Sequence, residues 1–146
     1  MYSIEDENKI PCVTQVFIPP YLAEGLKQPT FTVPDKDWAY GGSYAITNVN
    51  LFQGQTSTLR VSLLAAPSST HGNAMGARTL FPAFSCSGTG CTITAPPNSG
   101  VCPPGWYQIY ILDGPTPSVS QWVRIGGDPS QLGNWPSLNG FTQPGI

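Results

Sequence analysis

The sequence predicts an all-β fold, an antiparallel sandwich of about seven strands, and three observations lead there. The 146 residues include 16 Gly and 16 Pro but few charges, and the apolar runs are not laid out at helical spacing. Several segments alternate apolar and polar residues with a period of two, most clearly Leu59, Val61 and Leu63 against Arg60 and Ser62. Turn-forming residues interrupt these segments every roughly 8 to 20 residues, the rhythm of a sandwich. A chain of this length buries about two thirds of the surface it would expose unfolded, so a single domain can hold a real core.

Three segments follow in order: a polar leader over 1–11, the sandwich over 12–127 and an irregular C-terminal strap over 128–146. The first strand is "CVTQVFI", closed by Pro19 and Pro20, which cannot donate to a ladder. After the turn "AEGLKQ" come a short extended piece at "TFTV" and then "SYAITNV", where Tyr44 and Ile46 share a face. "TLRVSLLAA" repeats the alternation, and "RTLFPAF" with "CTITAP" forms a hairpin. "GWYQIYILD" and "QWVRIGG", separated by "GPTPSVS", complete the set. Trp106, Tyr110, Leu112, Val61 and Leu63 are the expected core, although both faces of "WYQIYIL" are apolar and the alternation does not choose between them. The strap has no periodicity; Trp135 and Phe141 pack it on the sandwich, or else the tail is disordered. No repeat of 20 to 50 residues is present, so the chain holds neither a solenoid nor a propeller of its own.

Four cysteines, Cys12, Cys86, Cys91 and Cys102, lack the paired spacing of a structural zinc site and read as two disulfides. Cys86 and Cys91 bracket the turn "SGTG", which brings their Cβ atoms together and leaves Cys12 with Cys102; four cysteines allow three pairings. Even cysteine usage in a Gly- and Pro-rich chain points to an oxidising compartment, hence a secreted, extracellular protein. The start "MYSIEDENKIPC" is acidic where a signal peptide is basic, so Met1 is read as an expression start or a cleaved boundary. Net charge is −2, with the acids bunched at Glu5, Asp6 and Glu7 and the basic residues scattered, which excludes the footprint of a nucleic-acid binder. No run approaches the roughly 18 apolar residues of a membrane span.

The segment "SSTHGNAMGAR" holds the only histidine, His71. Ser68, Ser69 and Thr70 stand beside it, but adjacent side chains on an extended strand point opposite ways, and no G-x-S-x-G elbow occurs. Asp35 and Asp37 read as a solvated loop pair, not the two carboxylates of a glycosidase. One imidazole with no free thiolate cannot build a metal site alone. At the tip of a loop between two strands it can be delivered to a site built by another domain; the plain alternative is a surface histidine.

The series "VFIPPYL", "YGGSYAI", "TLRVSLLAAPSSTHGNAMGAR", "APPNSGVCPPGWYQIYILDG" and "PTPSVSQWVRIG" resembles the carboxy-terminal domain of the galactose oxidase and glyoxal oxidase family of copper radical oxidases, nearer the glyoxal oxidase branch. The match runs in order from about Val13 to Gly126, with Pro-Pro-Tyr, Ser-Thr-His and Pro-Pro-Gly blocks in their expected places. The resemblance implies an immunoglobulin-like early-set sandwich, one loop of which supplies a histidine to a mononuclear copper inside a kelch-type propeller. His71 matches that histidine, with Thr70 and Arg78 as supporting loop residues. The other ligands belong to a propeller absent from this chain, so the isolated domain is expected to hold no cofactor and to be inactive, copper being a cofactor of the complete parent enzyme only. Where the family carries an aspartate two residues before Arg78, this sequence has Gly76. A reading from a different class is a non-catalytic module that binds carbohydrate or a protein partner through Trp38, Tyr40, Trp122 or Trp135.

Overall fold

A computed structural model of the chain describes residues 18–22, 25–54 and 57–127. After a 3-10 turn at Pro20–Leu22 the strands are β1 (Thr30–Thr32), β2 (Asp37–Trp38), β3 (Ser43–Asn50), β4 (Arg60–Ala65), β5 (Ser68–Thr70), β6 (Asn73–Met75), β7 (Thr79–Leu80), β8 (Phe84–Ser87), β9 (Gly90–Thr94), β10 (Gly105–Asp113), β11 (Thr116–Pro117) and β12 (Gln121–Ile125). One sheet runs β1-β3-β9-β8, the other β2-β12-β10-β4-β7 with β11 beside β10, and β5-β6 stands apart as a third, two-stranded sheet. All pairings are antiparallel except β2 with β12. The fold is the all-β immunoglobulin-like sandwich, with more short strands than the seven expected. Of the first strand expected over 12–18, Ile18 is exposed and in no strand, and 12–17 lie outside the described residues, as does the strap expected at 128–146.

The core is aliphatic and shared between the two large sheets. Ile46 and Ile93 from the first meet Leu63, Ile109, Ile111, Val123 and Ile125 from the second, each 0% exposed. Burying such a side chain contributes about 1.5 to 3 kcal/mol. Val61 and Leu63 point inward as expected, but Trp106, Tyr110 and Leu112 do not: Tyr107, Ile109 and Ile111 take the inner face of β10. The register explains this. Ile109 faces Leu63 and Ile111 faces Val61, whereas Tyr110 faces Ser62 and Leu112 faces Arg60. Directly opposed residues share a face, so the polar residues of β4 mark the outside of β10 as well.

The segment "RTLFPAF" is not one strand of a hairpin. Thr79–Leu80 pairs with β4 in the second sheet, Phe84–Ser87 pairs with β9 in the first, and Phe81-Pro82-Ala83 crosses between them. The β8–β9 hairpin itself forms as expected, with Cys86 opposite Cys91 and a disulfide between them. In β3 the buried phase shifts from Ile46 to Val49 across Asn48, whose φ of 54° inserts an irregularity that also breaks the register with β1.

One end of the sandwich gathers the ends of β4, β9 and β12 and the start of β10. Gly41 N–H donates to Pro96 (3.0 Å), Ala95 to Gly42 (2.8 Å) and Gly126 to Trp38 (2.9 Å), tying the crossing loops there into one platform. The β5–β6 hairpin leaves from this platform after Ala65. No helix among the described residues is long and apolar enough to cross a membrane.

Candidate functional site

The hairpin is built from a short sequence logic. Ser68 pairs with Met75, Ser69 with Ala74 and Thr70 with Asn73, so His71 and Gly72 alone form the loop. Both have positive φ, 53° and 76°, the backbone of a type I′ turn whose twist suits the flanking strands. Gly accepts that conformation freely, whereas an L-residue such as His resists it by about 1 to 2 kcal/mol. Every residue of β5 and β6 is exposed, as are His71 and Gly72. Gly76, also at positive φ (74°), turns the chain back toward the platform.

The imidazole sits at the head of this projection. Its Nδ1 lies 2.8 Å from Thr70 Oγ1, and Nε2 has no partner among the described residues. The opposition of neighbouring side chains expected for an extended strand fails here because His71 is left-handed and its ring folds back over the preceding residue.

Arg78 fixes the base. Its Nη1 donates to the carbonyls of Gly100 (3.0 Å) and Val101 (2.5 Å), while its own carbonyl accepts from Ala65 N–H (2.9 Å). Asn98 Oδ1 accepts from the N–H groups of Gly100 and Val101, holding that turn in shape. The guanidinium thus finds two backbone carbonyls, and Gly76, two residues earlier, offers it no side chain.

Behind Arg78 lies a cluster that sequence reasoning missed. Cys102 is fully buried, and its carbonyl accepts from Tyr40 Oη (2.7 Å) while Tyr107 Oη donates to Pro103 (2.7 Å). Burial pushes the Cys102 thiol up, against the Tyr107 hydroxyl and the Arg78 charge, which draw it down. Burial also raises Tyr107, helped by the hydrogen bond to Cys102, and raises Tyr40. Cys102 is a free thiol with respect to the described residues, and Cys12 lies outside them. The signal was present in "GVCPPGWY": the spacing of Cys102 and Tyr107 across a Pro-Pro corner.

Residues 28–125 match the family described as the galactose oxidase-like, early set domain. The chain belongs to this family. A WSC domain-containing protein of Arthroderma benhamiae is 57% identical to the early-set domain over 132 residues, 90% of this chain and 14% of that protein. A putative aldehyde oxidase of Artemisia annua, Art an 7, is 30% identical over 132 residues, 85% of this chain and 22% of that protein. The aldehyde oxidase GLOX of Vitis pseudoreticulata is 32% identical over 74 residues, 47% of this chain and 14% of that protein. The chain therefore spans 14% to 22% of the length of these curated relatives. A fungal alcohol oxidase of the AA5 family, solved in complex with copper, shares the fold at a TM-score of 0.63 and 23% identity, over 73% of this chain and 23% of its own.

The early-set domain holds no group of three or more His, Cys, Asp or Glu side chains fit to bind a metal among its described residues. Among those residues His71 supplies the one imidazole. The aromatic candidates divide: Trp38 is 2% exposed and stacks on Tyr44 at 4.9 Å, so it is core and not a binding surface. Tyr40 is half-buried, Trp122 is 44% exposed, and Trp135 lies outside the described residues. Trp106, expected in the core, is 45% exposed and lines a shallow groove with Trp122, Lys36 and Ala66. Asp35 and Asp37 are not both in a loop as expected: Asp35 precedes β2 and its Oδ1 accepts from Asp37 N–H, while Asp37 opens β2 and pairs with Arg124.

Proposed function

We propose that this chain is the accessory, C-terminal early-set domain of a secreted copper radical oxidase of the glyoxal oxidase and galactose oxidase type, that its hairpin presents His71 as one ligand to a copper centre in a kelch-type propeller domain, and that the chain alone turns over no substrate. The observation that carries the reading is the exposed imidazole at the head of a hairpin that neither large sheet uses. Family membership, relatives named as aldehyde oxidases and the copper-containing fungal alcohol oxidase of the same fold support it. Copper, with its ligand set completed by another domain, supplies the redox chemistry that takes electrons from an aldehyde or primary alcohol to dioxygen. The residues of this chain hold and aim one donor: the I′ turn lifts the ring clear of the platform, Thr70 occupies Nδ1, and Arg78 anchors the returning strand. The same reading puts the chain in an oxidising compartment, where Cys12 pairs with Cys102; the Cys86–Cys91 disulfide supports it.

The test is peroxide production. The copper-loaded parent polypeptide, with kelch repeats and tyrosine and cysteine ligands encoded beside this domain, loses copper and turnover on His71→Ala, and the 146-residue chain alone makes no peroxide. Copper retention by the His71→Ala parent, or peroxide from the isolated chain that His71→Ala abolishes, overturns the reading.

A second reading, a module that binds carbohydrate, draws support from the two half-exposed indoles of Trp106 and Trp122 on neighbouring strands. Sugar rings stack on such faces, and the nearby Lys36 and the Asp37–Arg124 pair offer hydrogen bonds to hydroxyls. Retention on polysaccharide that Trp106→Ala and Trp122→Ala abolish is its expected signature; unaltered retention removes it.

A further inference from the structure

Resting on the carbohydrate reading, we propose that the outer face of β10 and β12 binds an uncharged glycan whose pyranose hydroxyls are equatorial, as in a β-1,4-linked glucan. Trp106 and Trp122 stack on its rings, and the Gln108 side-chain amide donates to its oxygens. The register puts these three groups on one face: Trp106 lies opposite Arg124 and Gln108 opposite Trp122, and residues two apart on a strand share a side. The indoles are thus diagonal neighbours on adjacent strands, about 7 to 8 Å apart, the scale of neighbouring sugar rings. Both are half-exposed, and both line the same shallow groove. Trp106 is held in place, because the Arg124 guanidinium lies over its ring, 5.7 Å from the centroid, and is itself paired with Asp37. An indole fixed in this way loses little conformational freedom when a sugar ring settles on it. Gln108 is fixed by Tyr110, whose hydroxyl donates to Oε1 at 2.9 Å, while Nε2 has no partner among the described residues. A half-buried amide donor beside two indoles is incomplete, and a sugar oxygen completes it. Charge selects the class. Arg124 pairs with Asp37, and Lys36 stands between two aspartates in the chain, so the described charges around the groove balance and leave no excess to attract an anionic polymer. Equatorial hydroxyls leave both faces of a pyranose ring to C–H groups, which suits an indole, whereas an axial hydroxyl puts a polar group on one of them.

The test titrates the 146-residue chain with cellohexaose, mannohexaose and polygalacturonate and follows its indole and side-chain amide signals in proton–nitrogen correlation spectra. Cellohexaose is expected to shift the Trp106 and Trp122 indole signals and the Gln108 amide, with an affinity that about 0.5 M salt leaves unchanged. Gln108→Ala weakens binding about fivefold, the size of one hydrogen bond. Trp122→Ala weakens it about tenfold, and Trp122→Phe, which keeps an aromatic ring on the strand, falls between. Mannohexaose, with an axial hydroxyl on each ring, binds more weakly than cellohexaose. Polygalacturonate binding that exceeds cellohexaose and is removed by salt, mannohexaose binding as tight as cellohexaose, or a cellohexaose affinity that Gln108→Ala leaves unchanged overturns the proposal while the carbohydrate reading stands. No shift of either indole with any of the three glycans overturns both.

Discussion

Arg78 and Val101 are joined by a hydrogen bond of 2.5 Å from guanidinium to backbone carbonyl, so the strand returning from the His71 hairpin is fastened to the loop that carries Cys102. A second bond to Gly100 at 3.0 Å makes the attachment two-point. Gly76, two residues before Arg78, takes a left-handed turn, and the arginine is served by main chain.

Replacing Arg78 with Ala removes both bonds and leaves two carbonyls to water. Charged hydrogen bonds contribute about 1.5 to 3 kcal/mol when sheltered, and solvent at this exposed site reduces the expected loss to about 1 kcal/mol. The melting temperature falls by a few degrees, and amide exchange accelerates selectively in β5, β6 and 98–102. Exchange that accelerates uniformly across both large sheets would show that Arg78 supports the whole fold and not the hairpin base.

His71 works against the turn it occupies. Asn suits the first position of a type I′ turn before Gly better than His does, so His71→Asn is expected to leave the domain as stable or to stabilise it by about 0.5 kcal/mol, within the left-handed penalty His accepts. A thermal melt checks this; a clear loss of stability would mean that the imidazole holds the hairpin together.

Much of the sandwich was legible because alternation and turn residues agreed. Leu59, Val61 and Leu63 are buried as the pattern indicates, and the "SGTG" turn placed Cys86 opposite Cys91. Legibility failed where the signal was long-range. The inner face of β10 is decided by its pairing with β4, which no local window contains, and "RTLFPAF" conceals a crossing between sheets. At the site, His71 was found by its rarity and by the family resemblance. The two-residue loop was readable in "THGN" but lacks the usual Asn-Gly, and the contact to Thr70 follows from a φ that composition does not reveal.

The face assignment gives its own measurement. Leu63→Ala opens a cavity at a site with 0% exposure and costs about 2 to 5 kcal/mol. Leu112→Ala, on the outer, half-buried face, costs about 1 kcal/mol or less. Urea denaturation of the two variants that returned equal losses would contradict the register of β4 and β10.

Alkaline pH is expected to weaken the fold through the cluster behind Arg78. Tyr107, Cys102 and Tyr40 are all raised above their ordinary values, chiefly by burial. Each is neutral when protonated, so in the window between its unfolded and folded values the unfolded chain has released a proton that the folded chain keeps. Stability falls with rising pH wherever the unfolded state binds fewer protons. The contribution is therefore complete below the ordinary thiol value of 9.0 and phenol value of 10.0 and is lost progressively above them. Urea midpoints should be level between about pH 6 and 8 and decline from about pH 9 upward, with the decline reduced in Tyr107→Phe and in Cys102→Ala. Oxidation sharpens the test, because a Cys12–Cys102 bridge abolishes the thiol's titration: the oxidised chain then begins its decline nearer the phenol value than the reduced chain does. Identical alkaline profiles for the oxidised chain, the reduced chain and Cys102→Ala would show that the thiol does not titrate in this window, and a midpoint that rises with pH would contradict the burial of all three groups.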